Sequence, residues 1–156
     1  MQKITPFLWF DTQAEEAVRF YTSVFKNSKV GAITRRGEAG PGEPGSVLTV
    51  EFELDGLSLV ALNGGPHFKF TEAISLQIGC ETQEEVDELW TKLTVDGGEP
   101  GRCGWLKDRY GLSWQVVPTA LLRLLRQPDA EKANRVMAAM MQMTKIEIAA
   151  LERAAA

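Results

Sequence analysis

Cys103-Gly104-Trp105-Leu106-Lys107-Asp108-Arg109-Tyr110-Gly111-Leu112-Ser113-Trp114-Gln115-Val116-Val117-Pro118 decides the fold, because its second half repeats an earlier piece of the same chain. Gly56-Leu57-Ser58-Leu59-Val60 lines up with Gly111-Leu112-Ser113-Trp114-Gln115. In each copy a turn, Asp55-Gly56 or Tyr110-Gly111, leads into a short apolar run that reads as a strand. Further out, Glu15-Glu16-Ala17-Val18-Arg19-Phe20-Tyr21 aligns with Glu84-Glu85-Val86-Asp87-Glu88-Leu89-Trp90. Ala17, Phe20, Tyr21 and Val24, and likewise Val86, Leu89, Trp90 and Leu93, follow the i, i+3, i+4, i+7 spacing of one buried helix face. Thr12 with Glu15, and Thr82 with Glu85, fit capping boxes at the two helix starts. With a strand candidate ahead of each helix, Ile4 to Phe10 and Ala73 to Cys80, the pattern predicts two copies of one small α/β unit.

The first copy reads as strand Ile4 to Phe10, helix Gln13 to Phe25, and strands near Lys29 to Thr34, Ser46 to Leu54 and Leu57 to Asn63. The second reads as strand Ala73 to Cys80, helix Gln83 to Val95, and strands near Gly104 to Lys107 and Leu112 to Val117. Gly37 to Gly45 holds four glycines and two prolines, a composition that sustains neither helix nor strand and predicts a mobile hairpin loop. Asn63-Gly64-Gly65-Pro66 breaks the chain again between the copies. After Pro118 the pattern turns helical: a short segment Leu121 to Arg126, a helix from Ala130 to about Met143 capped by Asp129, and another from Lys145 capped by Thr144. The expected organisation is one domain over 1–156, with modules at about 4–63 and 73–118 and a helical extension at 119–156.

The 156 residues suffice for one domain with a real core. A net charge of −4 without a basic cluster argues against a nucleic-acid surface. Cys80 and Cys103 form no CxxC pair, so neither a disulfide framework nor a thiolate zinc knuckle is expected. No signal pattern opens the chain and no apolar run approaches the roughly 18 residues of a membrane span; a cytoplasmic protein is the expectation.

Pro6-Phe7-Leu8-Trp9-Phe10, Asn63-Gly64-Gly65-Pro66-His67-Phe68, the stretch Gly104 to Gln115 and the methionine-rich tail around Met137 to Met143 together resemble the PhnB-like group, also labelled 3-demethylubiquinone methyltransferase-like, of the vicinal oxygen chelate (glyoxalase and bleomycin-resistance) superfamily. The resemblance implies an α+β fold of paired βαβββ modules whose sheets curl around a shared cavity, with helices appended, and assembly as a homodimer. It also implies a divalent metal held by His, Glu or Gln from the first and last strand of each module, a chemistry that needs several N or O donors converging on one point. The matching positions here are Pro6 and Val60, then Ala73 or Ser75, and Gln115. Proline, valine and alanine offer no side-chain donor, so no metal and no cofactor are expected. The methyltransferase label fits poorly too, because Ile4 to Phe10 runs through Asp11-Thr12 into the helix without the glycine-rich turn of a nucleotide site.

His67 is the only histidine and the only side chain whose ordinary pKa suits proton transfer near neutrality. It reads either as a general base or ligand partner at a cavity mouth, or as a plain loop residue after Gly-Gly-Pro. Gln115 either touches a ligand or bonds a neighbouring strand residue. Alternation puts Ser113, Gln115 and Val117 on one strand face, with Trp114 and Val116 against the helices. The same reading turns Leu8, Phe10, Ser58, Val60, Leu62, Ser75 and Gln77 inward, a mostly apolar wall suited to a small, flat or partly hydrophobic ligand. Lys107-Asp108-Arg109 reads as a solvated hairpin tip. Trp9, Trp90, Trp105 and Trp114 read as core before ligand cage. Met137, Met140, Met141 and Met143 form an adaptable apolar face, for packing or as a lid. Two functions follow: a metal-free small-molecule-binding protein, or a metal-independent enzyme of isomerase, lyase or transferase type using His67 or Gln115.

Overall fold

The computed structural model describes residues 2–156, which form two compact units, one ending at Phe70 and the other starting at Thr71. The first carries β1 (Phe7–Phe10), α1 (Ala14–Val24), β2 (Ser28–Arg35), β3 (Val47–Leu54) and β4 (Leu57–Asn63). Its four strands lie in the order β1-β4-β3-β2, with β1 parallel to β4 and the other pairs antiparallel. The second unit repeats the plan with β5 (Ser75–Cys80), α2 (Gln83–Thr94), β6 (Glu99–Pro100), β7 (Trp105–Lys107) and β8 (Ser113–Pro118), in the order β5-β8-β7-β6. The fold is α+β, two open four-stranded mixed sheets with helices. β6 has no counterpart in the sequence reading, since two residues carry no periodicity. The glycines that announced the repeat do the same work in both copies: Gly56 and Gly111 have φ of 84° and 87°, a left-handed conformation that costs glycine nothing.

Each helix covers one sheet face. α1 buries Ala14, Ala17, Val18, Tyr21 and Val24; Val18 rather than the half-buried Phe20 completes the stripe. Opposite lie the buried Leu8, Phe10, Val50, Phe52, Leu54, Leu59 and Ala61, and Tyr21 stacks on Phe52 with ring centroids 6.3 Å apart. Each such side chain contributes roughly 1.5–3 kcal/mol by leaving water. In the second unit Val86, Leu89, Trp90 and Leu93 of α2 are all buried, as are Leu106, Trp114 and Val116 on the sheet.

The two helix starts differ. At α2 the Thr82 half of the expected box forms: Thr82 Oγ1 accepts from the Glu85 amide at 3.2 Å, while Glu85 Oε2 accepts from the Glu81 amide, one residue before the cap, at 3.0 Å. At α1 the expected Thr12 cap does not form. Gln13 is the cap residue and makes no side-chain cap bond; instead Asn63 Oδ1, from the end of β4, accepts from the Ala14 amide at 2.8 Å. Asn63 Nδ2 donates to the Val47 carbonyl at 3.1 Å, so this buried amide joins helix and sheet.

Beyond β8 the second unit adds α3 (Thr119–Leu125), α4 (Ala130–Met141) and α5 (Ile148–Ala155). Asp129 caps α4 as expected, accepting from the Glu131 and Lys132 amides. The last helix starts at Ile148 with Glu147 as cap residue, not at Lys145 behind Thr144. The Met143 and Thr144 carbonyls accept from the Cys103 and Gly104 amides, both at 2.8 Å, which holds that segment out of helix. Gln83 reinforces the join, donating to the Ile146 carbonyl and accepting from the Ile148 amide. Val117, Leu121, Leu124, Val136, Ile146 and Leu151 form the core beneath these helices. No helix among the described residues is long and apolar enough to cross a membrane.

Candidate functional site

Strand register decides which candidate residues share a face. In the second unit Ser75 pairs with Ser113 and Gln77 with Gln115, while Trp105 and Lys107 of β7 pair with Gln115 and Ser113. Residues paired side by side point to the same side of a sheet. Ser75, Gln77, Ser113 and Gln115 therefore lie together on the face turned away from α2, as the alternation predicted. Gln115 Nε2 donates to Ser75 Oγ at 2.8 Å, realising the neighbouring-strand bond. Ser113 is 1% exposed, and its hydroxyl has no hydrogen-bond partner among the described residues.

The first unit requires a correction. Leu8 pairs with Ala61 and Phe10 with Asn63, whereas Phe7 pairs with Val60 and Trp9 with Leu62. Leu8 and Phe10 thus sit on the α1 side, inside the core, and do not share a face with Ser58, Val60 and Leu62. Phe7 and Trp9 take the places expected for them. Phe7-Leu8-Trp9-Phe10 is apolar on both faces, so alternation alone has no phase to choose; pairing with β4 chooses it.

The same face bears a carboxylate that the sequence reading passed over. Glu51 of β3 pairs with Val60, and Phe7, Lys29, Gly31, Glu51, Ser58 and Val60 are among the residues lining a cleft of about 560 Å³. Lys29 Nζ lies 3.7 Å from Glu53 Oε2.

His67 is exposed on a segment fastened to the first unit by aromatic side chains. Trp9 Nε1 donates to the Gly65 carbonyl at 2.9 Å, and the Trp9 ring meets Phe68 edge-on at 4.8 Å. A Cβ on Gly64 would come within 2.3 Å of the Trp9 ring, which accounts for glycine there. His67 lines a second cleft, of about 580 Å³, with Asp11, Glu15, Arg36 and Glu43. These carboxylates stand far from His67 in sequence, where local reading finds no partner for the ring. The Arg36 guanidinium donates to Ser46 Oγ, the Val47 carbonyl and the Asn63 carbonyl, pinning the ends of β2, β3 and β4 beside the cleft.

Lys107-Asp108-Arg109 is not a solvated tip. Asp108 is 2% exposed; its Oδ1 accepts from the Tyr110 and Leu112 amides at 2.8 and 3.1 Å, and its Oδ2 from Trp114 Nε1 at 2.9 Å. Lys107 pairs with Glu72 at 2.6 Å; the hydrogen bond and the opposite charge hold the Glu72 carboxyl below its ordinary range and the Lys107 amine above it. Arg109 lies 3.4 Å from Asp96. Burial, with the charges of Glu85 and Glu81, pushes the Cys80 thiol up to about 12, which leaves it a poor nucleophile at neutral pH. Of the tryptophans, Trp90 and Trp114 are buried core, while Trp9 and Trp105 are half-buried.

At the positions the resemblance assigns to metal ligands, the Pro6 carbonyl accepts from the Val60 amide at 3.0 Å, and Ser75 and Gln115 bond each other. Among the described residues no group of three or more His, Cys, Asp or Glu is placed to hold a metal ion.

Residues 2–117 match the family described as 3-demethylubiquinone-9 3-methyltransferase. A PhnB protein from Bacillus cereus is 40% identical, aligned over 75% of this chain and 99% of its own, with a TM-score of 0.68. The chain belongs to this family and is PhnB-like. Two more distant structures share the fold: protein PA1353 from Pseudomonas aeruginosa, 19% identical over 76% of this chain and 98% of its own with a TM-score of 0.63, and the fosfomycin resistance protein FosX from Listeria monocytogenes, 16% identical over 76% and 93% with a TM-score of 0.52. No curated protein matches. The family match stops at residue 117, so the methionine-rich tail, which the sequence reading counted toward the resemblance, lies outside it.

Proposed function

We propose that this PhnB-like chain is a single-domain, small-molecule-binding protein that works without the superfamily's metal ion, and that it functions in the cytoplasm as a homodimer. In the second unit Ser75, Gln77 and Gln115, on the face turned away from α2, offer polar groups to a ligand; in the first unit Val60 and Leu62, on the face turned away from α1, offer apolar surface, with Leu8 and Phe10 in the core behind it. One observation carries the reading: the Ser113 hydroxyl is buried without a partner beside the Gln115 and Ser75 pair. An unmet buried hydroxyl costs about 1–3 kcal/mol, and a ligand that displaces the Gln115–Ser75 bond and reaches that hydroxyl removes the cost. The residues at the metal positions do not fit a transition metal, since one amide oxygen and one hydroxyl make too weak a set.

A thermal-shift screen of metabolites and aromatic compounds, paired with elemental analysis of the purified protein, tests this. Ligands that stabilise the wild type are expected to stabilise Gln115→Ala less. Ser113→Ala is expected to leave the ligand-free protein as stable as before, or more so. Stoichiometric bound zinc, nickel or iron, or identical shifts in wild type and Gln115→Ala for every binder, would overturn the proposal.

A second reading, a metal-independent enzyme, draws support from the cleft that His67 shares with Asp11, Glu15 and Glu43, carboxylates able to orient an imidazole. Methyl transfer is not favoured, because the turn from β1 into α1, Asp11-Thr12-Gln13, lacks the glycines of a nucleotide-binding turn. Once a substrate is in hand, His67→Ala separates the readings: lost turnover with kept affinity means catalysis, and unchanged behaviour leaves binding alone.

A further inference from the structure

Across the first sheet, on the face turned away from α1, β1 presents Phe7, β4 presents Val60 beside it, and β3 presents Glu51 beside that. On β2 the neighbour is Gly31, where a Cβ would stand 3.3 Å from the Glu51 Cβ. The row thus runs aromatic, aliphatic, carboxylate, and then a position with no side chain, all lining the same 560 Å³ cleft. Phe7 is 60% exposed, a large ring left uncovered at one end.

The charges along the neighbouring row are already matched, since Lys29 faces Glu53 at 3.7 Å. Among the described residues no cation pairs with Glu51, although Lys29 lines the same cleft. We propose that Glu51 sets the ligand's charge: this face takes an organic cation whose flat apolar body lies on Phe7 and Val60 and whose amine head reaches Glu51 over the gap at Gly31. The inference rests on the small-molecule reading above and adds the ligand class to it. A carboxylate beside apolar surface repels anions and holds an ammonium more strongly than it would in open water, and an aromatic face adds attraction for a cation. Gly31 supplies the room. A valine there would set branched carbons against Glu51, because even a Cβ lies 3.0 Å from the Glu51 carbonyl oxygen.

The test uses three probes of one shape, 4-phenylbutylamine, 4-phenylbutanol and 4-phenylbutyrate, titrated into the intact protein and followed by amide chemical shifts. The amine is expected to bind on the order of fivefold tighter than the alcohol, about 1 kcal/mol, and the butyrate weakest. In Glu51→Gln the amine and alcohol should become equal. In Glu38→Gln, a charge control on an exposed loop residue outside this cleft, the amine preference should persist. Added salt should shrink the wild-type preference. Equal binding of amine and alcohol to the wild type, or a preference surviving in Glu51→Gln, overturns the assignment while leaving small-molecule binding intact. If no probe shifts any residue of this face, the assignment and the use of this face for binding fail together.

Discussion

The two repeats share a backbone plan and differ in where each finds partners for its polar groups. In the second the helix cap and the turn are served locally: Thr82 caps its own helix, and Asp108 gathers donors from residues within the next six positions. The first relies on distant parts of the chain, its helix capped by Asn63 from the last strand and its strand ends pinned by Arg36. The faces diverge as well. Gln77, Gln115 and Trp105 stand on the second sheet where Phe7, Val60 and Glu51 stand on the first. A duplicated fold preserves pairing and turn geometry, while its polar groups can be redistributed freely so long as each finds a partner.

The sharpest way to break this comparison is at the two equivalent turns. Asp108→Ala leaves Trp114 Nε1 and two amides without their acceptor and is expected to cost about 3 kcal/mol, read from chemical denaturation. Asp55→Ala, in the equivalent turn at the exposed position that aligns with Tyr110, where φ is 47° and the carboxylate accepts only a long 3.4 Å bond from Asn27 Nδ2, should cost about 1 kcal/mol. Equal losses would mean that Asp108 contributes no more than a turn preference. The caps come next. Asn63→Ala removes a buried amide that serves both α1 and β3, an expected loss of about 2 kcal/mol, against about 1 kcal/mol for Thr82→Ala. Reversal of that order would make the remote cap the weaker one.

The smallest effect is electrostatic. Lys145 Nζ lies 2.7 Å from Asp87, and the hydrogen bond from Lys145 holds the Asp87 carboxyl below its ordinary 3.8, as the same bond lifts Lys145 above 10.5. The Asp87 contribution is therefore complete above pH 3.8 and fades as pH falls through the lowered folded value. Lys145's is complete below pH 10.5 and fades as pH rises through the raised one. Both side chains are partly in water, so about a few tenths of a kcal/mol is expected. Asp87→Asn should flatten the acid limb of the stability curve by that amount, measured by denaturation between pH 2 and 6, roughly the range in which carboxylates titrate.

What could be read from the chain depended on how far each residue's partner lay. Gly56 and Gly111 disclosed the repeat because a left-handed turn leaves a mark at one position. Thr82 and Glu85 bound one four-residue motif, and the Thr82 cap formed; Thr12 and Glu15 present the same letters, yet Asn63, 49 positions from Ala14, supplied the cap. Asp108 looked exposed because it stands between two charged neighbours, although its donors lay a few residues on, in the turn and at the start of the following strand. Of the candidate site, Ser75, Gln77 and Gln115 were grouped correctly from alternation, since their strands mix polar with apolar residues. Leu8 and Phe10 were misplaced because an all-apolar strand shows no polar side. Glu51 went unnoticed for the opposite reason: a glutamate on a strand looks like ordinary surface until Lys29 is seen beside Glu53.

The Asn63 cap also bears on the order in which the molecule takes shape. During synthesis the first helix emerges well before the strand that ends at Asn63, so its leading amide stays with water until that strand has docked, whereas the second helix brings its own cap. Hydrogen exchange during refolding should accordingly find protection at Glu85 earlier than at Ala14, and a nascent chain released short of residue 63 would carry a first helix with a frayed beginning.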